Sequence, residues 1–287
     1  MAADGLLALA LRCVECGADG LAKTAPSGFQ CAKCGARFPQ HSFGGIPVLL
    51  SSRSPLKTED VLAYKVEPVA LDKNAARRHW ETGRLQELLR GVSGSRLLNC
   101  GSGDGGDRRW LEENGFSVTA FDVYPSPLTD CVCDGHELPF ADEQFDVVTS
   151  IAVFEHLYDP FQAAREIFRV LKKGGALVAS SAFLEPYHSE SYFHMSHLGV
   201  REVLHRAGFV EILIRPGWSG LEALHSRFWI WNQVSIVRRM SLALDRTAFR
   251  LGLGLWRMGY RLKGKKPTDD LDLTYAGSLQ VRAVKPL

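Results

Sequence analysis

The stretch from Arg96 to Asp122 constrains this chain more than any other. Arg96-Leu97-Leu98-Asn99-Cys100 is a short buried-strand pattern, followed at once by Gly101-Ser102-Gly103-Asp104-Gly105-Gly106. Glycines at that spacing let backbone approach a ligand closely where a helix begins, and Asp107–Asn114 is the helix candidate. Ser117–Phe121 reads as a second strand ending in Asp122, seventeen residues beyond Gly105. A carboxylate at that point can accept hydrogen bonds from both hydroxyls of a ribose. Thr129–Cys133 is a third strand ending in Asp134, Phe145–Ser150 a fourth, Pro160–Leu171 a helix, and Ala176–Ser181 a fifth strand. Such alternation predicts an α/β sheet. A lone GxGxG loop could also serve a dinucleotide; its context narrows the choice. Asp134 is followed by Gly135, so a carboxylate and a backbone N–H could together read an adenine amino group.

Cysteines mark off a second unit. Cys13, Cys16, Cys31 and Cys34 form CVEC and CAKC, with fourteen residues between the pairs. Two CxxC pairs let four thiolates converge on one tetrahedral Zn²⁺, and Gly17 and Gly35 follow the pairs directly, as such turns prefer. A Cys₄ site is closed, so the metal is expected to be structural. A segment of this size with few large apolar side chains needs such a staple. The remaining cysteines, Cys100, Cys131 and Cys133, lie in apolar surroundings. The total of seven is odd, which argues against a disulfide framework and for a reducing, cytoplasmic compartment. The opening MAADGLLALALRC lacks the basic start of a secretory signal, and no apolar run approaches the ~20 residues of a membrane span.

Beyond Cys34 the chain reads Phe38-Pro39, then Gly44-Gly45-Ile46-Pro47-Val48-Leu49-Leu50. Over residues 11–50 this resembles the small zinc-ribbon family of methyltransferase-activator type. Residues 1–50 are therefore expected to be a zinc ribbon, and 51–95 a polar linker and N-terminal helix. Over about residues 94–214 the chain then resembles the class I S-adenosylmethionine-dependent methyltransferases, in particular their type 11 group, and 96–287 is the expected S-adenosylmethionine-binding methyltransferase domain. The resemblance rests on LLNCGSGDG (97–105), Asp122, DGHELPFADEQFDVVTS (134–150), FEHLYDP (154–160) and EIFRVLKKGGALVAS (166–180). It implies a Rossmann-like seven-stranded sheet and S-adenosylmethionine as cofactor. Gly101, Ser102, Gly103 and Gly105 would approach its methionyl part, and Asp122 with Val123 its ribose. Asp134 and Gly135 would hold adenine, and Ser150-Ile151 would supply backbone beside the sulfonium. Asn99 stands where this family usually has an acid, which keeps a hydrogen bond but removes a negative charge.

The acceptor is less legible. The Asn/Asp-Pro-Pro-aromatic tetrad used for exocyclic base amines is absent from Ser150–His156. Histidine suits a hydroxyl acceptor as base, and His156, His188 and His194 follow the fourth and fifth strands. Glu155-His156 recurs in the family whatever its substrate, and so also reads as a device that orients the loop. His188 lies in an aromatic and polar loop, Phe183–Tyr192, suited to lining an acceptor pocket. His188 and His156 are the catalytic candidates. O-methylation of a small-molecule or glycan-like acceptor is the favoured expectation, with a lipid-linked acceptor where the basic segment described next meets a membrane.

Net charge is +2, but it is unevenly spread. Ser226–Lys266 holds ten Lys/Arg against one Asp, a local +9, which leaves −7 elsewhere. Arg239, Arg246, Arg250, Arg257 and Arg261 fall within about 60° of one another at ~100° per residue, beside a broad apolar arc. A helical insertion over about 221–265 is expected before a last strand, Ser278–Val284. It could pack on its own acidic body. It could lie on anionic lipid, with Trp229, Trp231 and Trp256 as anchors, giving a peripheral membrane contact. It could also grip RNA, which would suit an RNA N-methyltransferase. Asn99 leaves a third reading open, a non-catalytic cofactor-binding scaffold.

Overall fold

The computed structural model describes residues 6, 9–24, 28–66, 80–81, 83–103, 105–187, 190–218, 220, 235–264 and 271–287. Of 235–239, 241–242, 245–246, 249 and 271 it describes the backbone alone. His188, Trp229 and Trp231, and the side chains of Arg239 and Arg246, thus lie outside the described residues.

A three-stranded antiparallel sheet opens the chain: β1 (Leu21–Thr24), β2 (Gly28–Cys31) and β3 (Arg37–Phe38). The main sheet takes β4 (Val48–Leu49), β5 (Arg96–Cys100), β6 (Ser117–Asp122), β7 (Cys131–Cys133), β8 (Phe145–Ile151), β9 (Leu171–Ala182), β10 (Val210–Pro216) and β11 (Ser278–Val284). Its order is β10-β11-β9-β8-β5-β6-β7-β4. Pairing is parallel from β4 through β9, and β11 runs antiparallel to both neighbours.

The seven-stranded expectation is corrected here: the sheet has eight strands. The extra one is β4, read in the sequence as the end of the ribbon. Val48 pairs with Val132 and Leu49 with Cys133, in parallel. The pattern Ile46–Leu50 is apolar without alternation, as befits a strand covered on both faces. Val48 and Leu49 are fully buried.

Helices close the sheet's two faces. On one, α1 (Thr58–Ala63) packs Val61 against β4, with Ile46, Val48 and Val132. Beside it, α2 (Gly106–Glu113) buries Trp110, which stacks on Trp80 at 4.9 Å between ring centroids. On the other, α3 (Pro160–Val170) and α4 (His197–Ala207) pack with the ribbon. Asp159 starts α3 by accepting the Gln162 N–H at 3.0 Å, with Pro160 in the first turn, where a missing N–H costs nothing. Ser196 does the same for α4, and left-handed Gly208 ends it. The insertion forms α5 (Ser235–Leu262), followed by the short α6 (Leu271–Thr274).

The ribbon's small core does not stand alone. Leu11, Val14, Leu21, Phe29 and Phe38 belong to one buried cluster with Leu138 and Phe140 of the large domain. Backbone bonds add to this docking: Arg12 N–H to the Pro139 carbonyl at 3.0 Å, and Ala141 N–H to that of Ala10 at 2.9 Å.

Candidate functional site

The chain passes from β5 to β6 on one side and from β7 across to β8 on the other. The carboxyl ends of β5 and β8 therefore flank a topological switch point, where open α/β sheets bind ligands. The glycine loop lies there. Gly101 and Ser102 donate their N–H groups to the Phe121 carbonyl, both at 3.0 Å, which ties the loop to β6. Gly101 has φ +70°, and a Cβ on it would sit 2.4 Å from Val153 Cγ2. Gly105, at φ +83°, would meet Leu128 Cβ at 2.5 Å. Only glycine fits either position. The Ser102 hydroxyl turns away, 3.2 Å from Thr129 Oγ1.

Asp122 follows directly. Its carboxylate accepts the Gly103 N–H at 2.7 Å and the Val123 N–H at 2.7 Å. Burial nonetheless pushes its pKa above the usual carboxylate value. Tyr124, two residues on, is exposed and stacks on Tyr64 at 4.7 Å. Tyr64 is held in turn by His41 of the ribbon side, whose Nε2 lies 3.0 Å from the Tyr64 carbonyl. The Phe43 N–H reaches His41 Nδ1 at 3.1 Å, so Nδ1 accepts and Nε2–H donates.

Asp134 is more enclosed. One oxygen accepts Ser54 Oγ–H at 2.7 Å; the other accepts the His136 N–H at 2.9 Å and faces His136 Nδ1 at 2.5 Å. Burial acts to raise its pKa, but the bonds from His136 and Ser54 outweigh this and leave it lowered. His136 Nε2 accepts the Asp159 N–H at 3.2 Å, so Nδ1 carries the proton. Its ring stacks on Tyr158 at 3.8 Å. Ser54, Tyr64 and His136 were not singled out from sequence. The triplet Asp-Gly-His at 134–136 held a signal for the last, whereas Ser54 and Tyr64 reach the site only through tertiary contact.

Asn99 and Ser150 end β5 and β8 nearby. Asn99 Oδ1 accepts Thr149 Oγ1–H at 3.2 Å. Asn99 Nδ2 and Ser150 Oγ are buried with no hydrogen-bond partner among the described residues. Unsatisfied buried donors are rare, and a polar ligand at the switch point would answer them. After Ile151 comes Ala152 at φ +55°, a left-handed alanine of the strained kind that clusters at functional sites. Its N–H is held by Ser180 Oγ at 3.0 Å.

Beyond it, the Glu155 carbonyl accepts the Tyr192 N–H at 2.7 Å and the Phe193 N–H at 3.2 Å. His156 Nδ1 lies 3.1 Å from the Glu190 carbonyl, and so donates to it. These bonds hold Glu190, Tyr192 and Phe193 against the turn that follows β8. His194 Nδ1 meets the Phe183 carbonyl at 3.2 Å, and its ring lies 4.6 Å from that of Tyr187. Gly135 sits between Asp134 and His136, with the Leu157 side chain 3.6 Å from where its Cβ would be.

The four ribbon cysteines form a second site. Their sulfurs all lie within 4.8 Å of one another, with Cys13–Cys34 at 3.8 Å and Cys16–Cys31 at 3.7 Å. A tetrahedral Zn–S bond of ~2.3 Å implies sulfur separations of about 3.8 Å, so the cluster fits one zinc. Gly17 and Gly35 donate their N–H groups to the Cys13 and Cys31 carbonyls at 2.8 and 3.0 Å, closing the two turns. The other thiols are core residues: burial pushes Cys100 and Cys133 well up, which leaves them inert.

Residues 98–179 match the family model described as "Methyltransferase domain". This part of the chain is a methyltransferase domain. Over 132 residues it is 30% identical to ubiquinone biosynthesis O-methyltransferase of Pseudomonas fluorescens, covering 40% of this chain and 54% of that protein. Over 136 residues it is 30% identical to 27-O-demethylrifamycin SV methyltransferase of Amycolatopsis mediterranei, covering 40% and 50%. The chain thus spans about half the length of these relatives. Among solved structures, phosphoethanolamine N-methyltransferase 2 of Haemonchus contortus with S-adenosyl-L-methionine matches at TM-score 0.45 and 20% identity, over 71% of this chain and 52% of that one. A complex of the Haloferax volcanii Trm112 methyltransferase activator with a methyltransferase matches at 0.46 and 20%, over 75% and 93%. The methyltransferase domain holds all the candidate cofactor residues, from Asn99 through Ile151, within the matched span.

Proposed function

We propose that the protein transfers the methyl group of S-adenosylmethionine to a hydroxyl of a small-molecule acceptor. The observation that carries this reading is the pair of orphaned buried donors, Asn99 Nδ2 and Ser150 Oγ, at the switch point beside the glycine loop. The cofactor would supply an electrophilic methyl on a sulfonium. Asp122, freed from Gly103, would accept the ribose hydroxyls. The exposed face of Tyr124 would lie against adenine, and Asp134, held by Ser54 and His136, would border its amino group. Two of the relatives named above, the ubiquinone biosynthesis O-methyltransferase and the 27-O-demethylrifamycin SV methyltransferase, are named for methylation of oxygen, which supports a hydroxyl acceptor.

Methyl transfer to a hydroxyl forms a C–O bond, breaks the S–CH₃ bond and releases the hydroxyl proton. The base proposed for that proton is His156 or His188. For His156, the bond to the Glu190 carbonyl fixes Nδ1 as donor, which makes Nε2 the basic nitrogen. Transfer of labelled methyl to metabolite fractions tests the reading, alongside calorimetric titration with S-adenosylmethionine. Titration without binding overturns it. The pH profiles of His156→Gln and His188→Gln then separate the two bases: the variant that loses its acid limb held the proton acceptor.

A further inference from the structure

α5 is the longest helix among the described residues, and many of its described side chains are exposed. Leu244 is 68% exposed, Leu251 and Leu255 64%, and Leu262 81%. With Met240 and Met258 they fall within about 60° of one another at ~100° per residue. One side of the helix is therefore an exposed apolar stripe over ~30 Å, at ~1.5 Å per residue. Soluble surfaces rarely leave such a stripe uncovered.

Glycine sharpens the point. Gly252, Gly254 and Gly259 lie inside this helix, and a Cβ on any of them would meet nothing within 4 Å. No close packing among the described residues requires them, yet each costs a helix about 1 kcal/mol relative to alanine. The helix is thus under-supported by its own sequence and by the described residues around it. An external surface can supply what is missing.

Charge selects that surface. The span Ser235–Leu262 contains six arginines and one aspartate, a net +5. Arg250 and Arg261 are exposed, and Arg257 pairs with Asp272 at 3.2 Å. These arginines form a narrow stripe, and the other side of the helix adds Trp256 and Tyr260, their rings 4.1 Å apart. An exposed apolar stripe with arginine beside it fits the boundary between acyl chains and anionic headgroups. RNA would use the arginines and leave the leucines in water. No helix of the described residues is long and apolar enough to cross a membrane, so the contact is one of lying on it.

The root of the insertion gives the contact a purpose. Gly217 N–H bonds the Ser278 carbonyl at 2.9 Å, Gly277 N–H that of Trp218 at 2.7 Å, and Gly220 N–H that of Tyr275 at 2.9 Å. The same returning segment receives Phe183 N–H at the Gly277 carbonyl, 2.8 Å, and Leu184 N–H at that of Ala276, 3.2 Å. Phe183 and Leu184 directly follow β9 at the carboxyl edge of the sheet. Leu184, Tyr187, Tyr192 and Tyr275 are exposed around this root.

We infer that α5 docks the protein on an anionic bilayer and brings the acceptor side of the site to it, so that the acceptor is a membrane-resident, lipid-soluble alcohol or phenol. The acceptor half of this inference rests on the function proposed above; the docking half does not. The test is flotation of the full, zinc-loaded chain with vesicles of phosphatidylcholine alone, or mixed with phosphatidylglycerol. The protein floats with the mixed vesicles and stays behind with the neutral ones. Arg250→Gln with Arg261→Gln weakens binding about twenty-five-fold, from ~1 kcal/mol per arginine near the surface. Leu251→Asn and Leu255→Asn each weaken it about tenfold or more. Zinc content and cofactor titration stay unchanged in all three variants.

No flotation, or equal flotation with neutral vesicles, overturns the inference. So does a dimer in sedimentation that the two leucine variants dissolve, since a second copy would then cover the stripe. Flotation is read without turnover, so its failure leaves the methyl-transfer reading standing. Failed cofactor titration with intact flotation does the reverse.

Discussion

Replacing Gly101 by alanine tests whether the glycine loop and the turn after β8 are locked together. Two costs follow from the geometry. At φ +70° an added Cβ strains the backbone, worth about 1–2 kcal/mol. The same Cβ would stand 2.4 Å from Val153 Cγ2, an overlap that must push one segment away, worth about 1–3 kcal/mol in a packed setting. Together they reach about 2–5 kcal/mol, a factor of roughly 30 to several thousand in any property that needs the native loop. Val153→Ala removes the second cost and leaves the first. In a double-mutant cycle, Gly101→Ala with Val153→Ala therefore recovers about 1–3 kcal/mol over the sum of the singles. Chemical unfolding reads the stability arm, and calorimetric titration with S-adenosylmethionine the affinity arm. If the loop swings aside locally, affinity falls and stability holds; if it cannot, both fall. Gly101→Ala with unchanged stability and affinity, or a strictly additive cycle, would refute the reasoning.

Two further outcomes are expected. Cys34→Ser removes the bound zinc, read by native mass spectrometry, and lowers the melting temperature of the whole chain in one transition, because the ribbon's apolar residues belong to the large core; a separate early transition would contradict that continuity. Ser54→Ala removes a hydrogen bond to the Asp134 carboxylate and destabilises the protein by about 1.5–3 kcal/mol near neutral pH. The sign with pH follows from the lowered Asp134 pKa: its contribution is present above the unfolded value of ~3.9 and lost as pH falls through the folded one. The gap between wild type and variant therefore narrows on acidification, and a gap that widens below pH ~4 contradicts the assignment.

Local signals in the sequence reached most of the sheet. Strand–glycine loop–helix chemistry placed β5, the loop and α2, and the carboxylates Asp122 and Asp134 ended their strands as read. CxxC spacing placed the four sulfurs. What escaped was chemistry that depends on segments distant in sequence. Ser54 lies eighty residues from Asp134, and nothing in SSRSPLKTED marks a serine that will be buried against a carboxylate. Tyr64 stacks on Tyr124 sixty residues away, and its carbonyl is held by His41, twenty-three residues before it. Ala152 gave no warning either, since alanine in left-handed backbone is a tertiary outcome that runs against its own preference. The eighth strand was legible as a strand, in the apolar run Ile46–Leu50, but not as a member of the larger sheet.

That eighth strand also explains why the cysteine-bearing ribbon reaches the carboxyl edge of the sheet. β7 is three residues long, and without β4 it would expose an open edge. Parallel pairing of Leu49 with Cys133 means that both strands end at the same edge of the sheet, the carboxyl edge where the ligand site lies. Asp134 is the next residue after β7, and Ser54 is only five residues after Leu49. The chain leaving β4 is thus delivered beside Asp134, and Arg53 fixes it there through Glu137 Oε1 at 2.9 Å and the Val14 carbonyl at 2.6 Å. Antiparallel pairing would have delivered the same serine to the opposite edge. The direction of one two-residue ladder therefore decides that the segment leaving the ribbon reaches the carboxyl edge of the sheet, and that Ser54 meets the Asp134 carboxylate there.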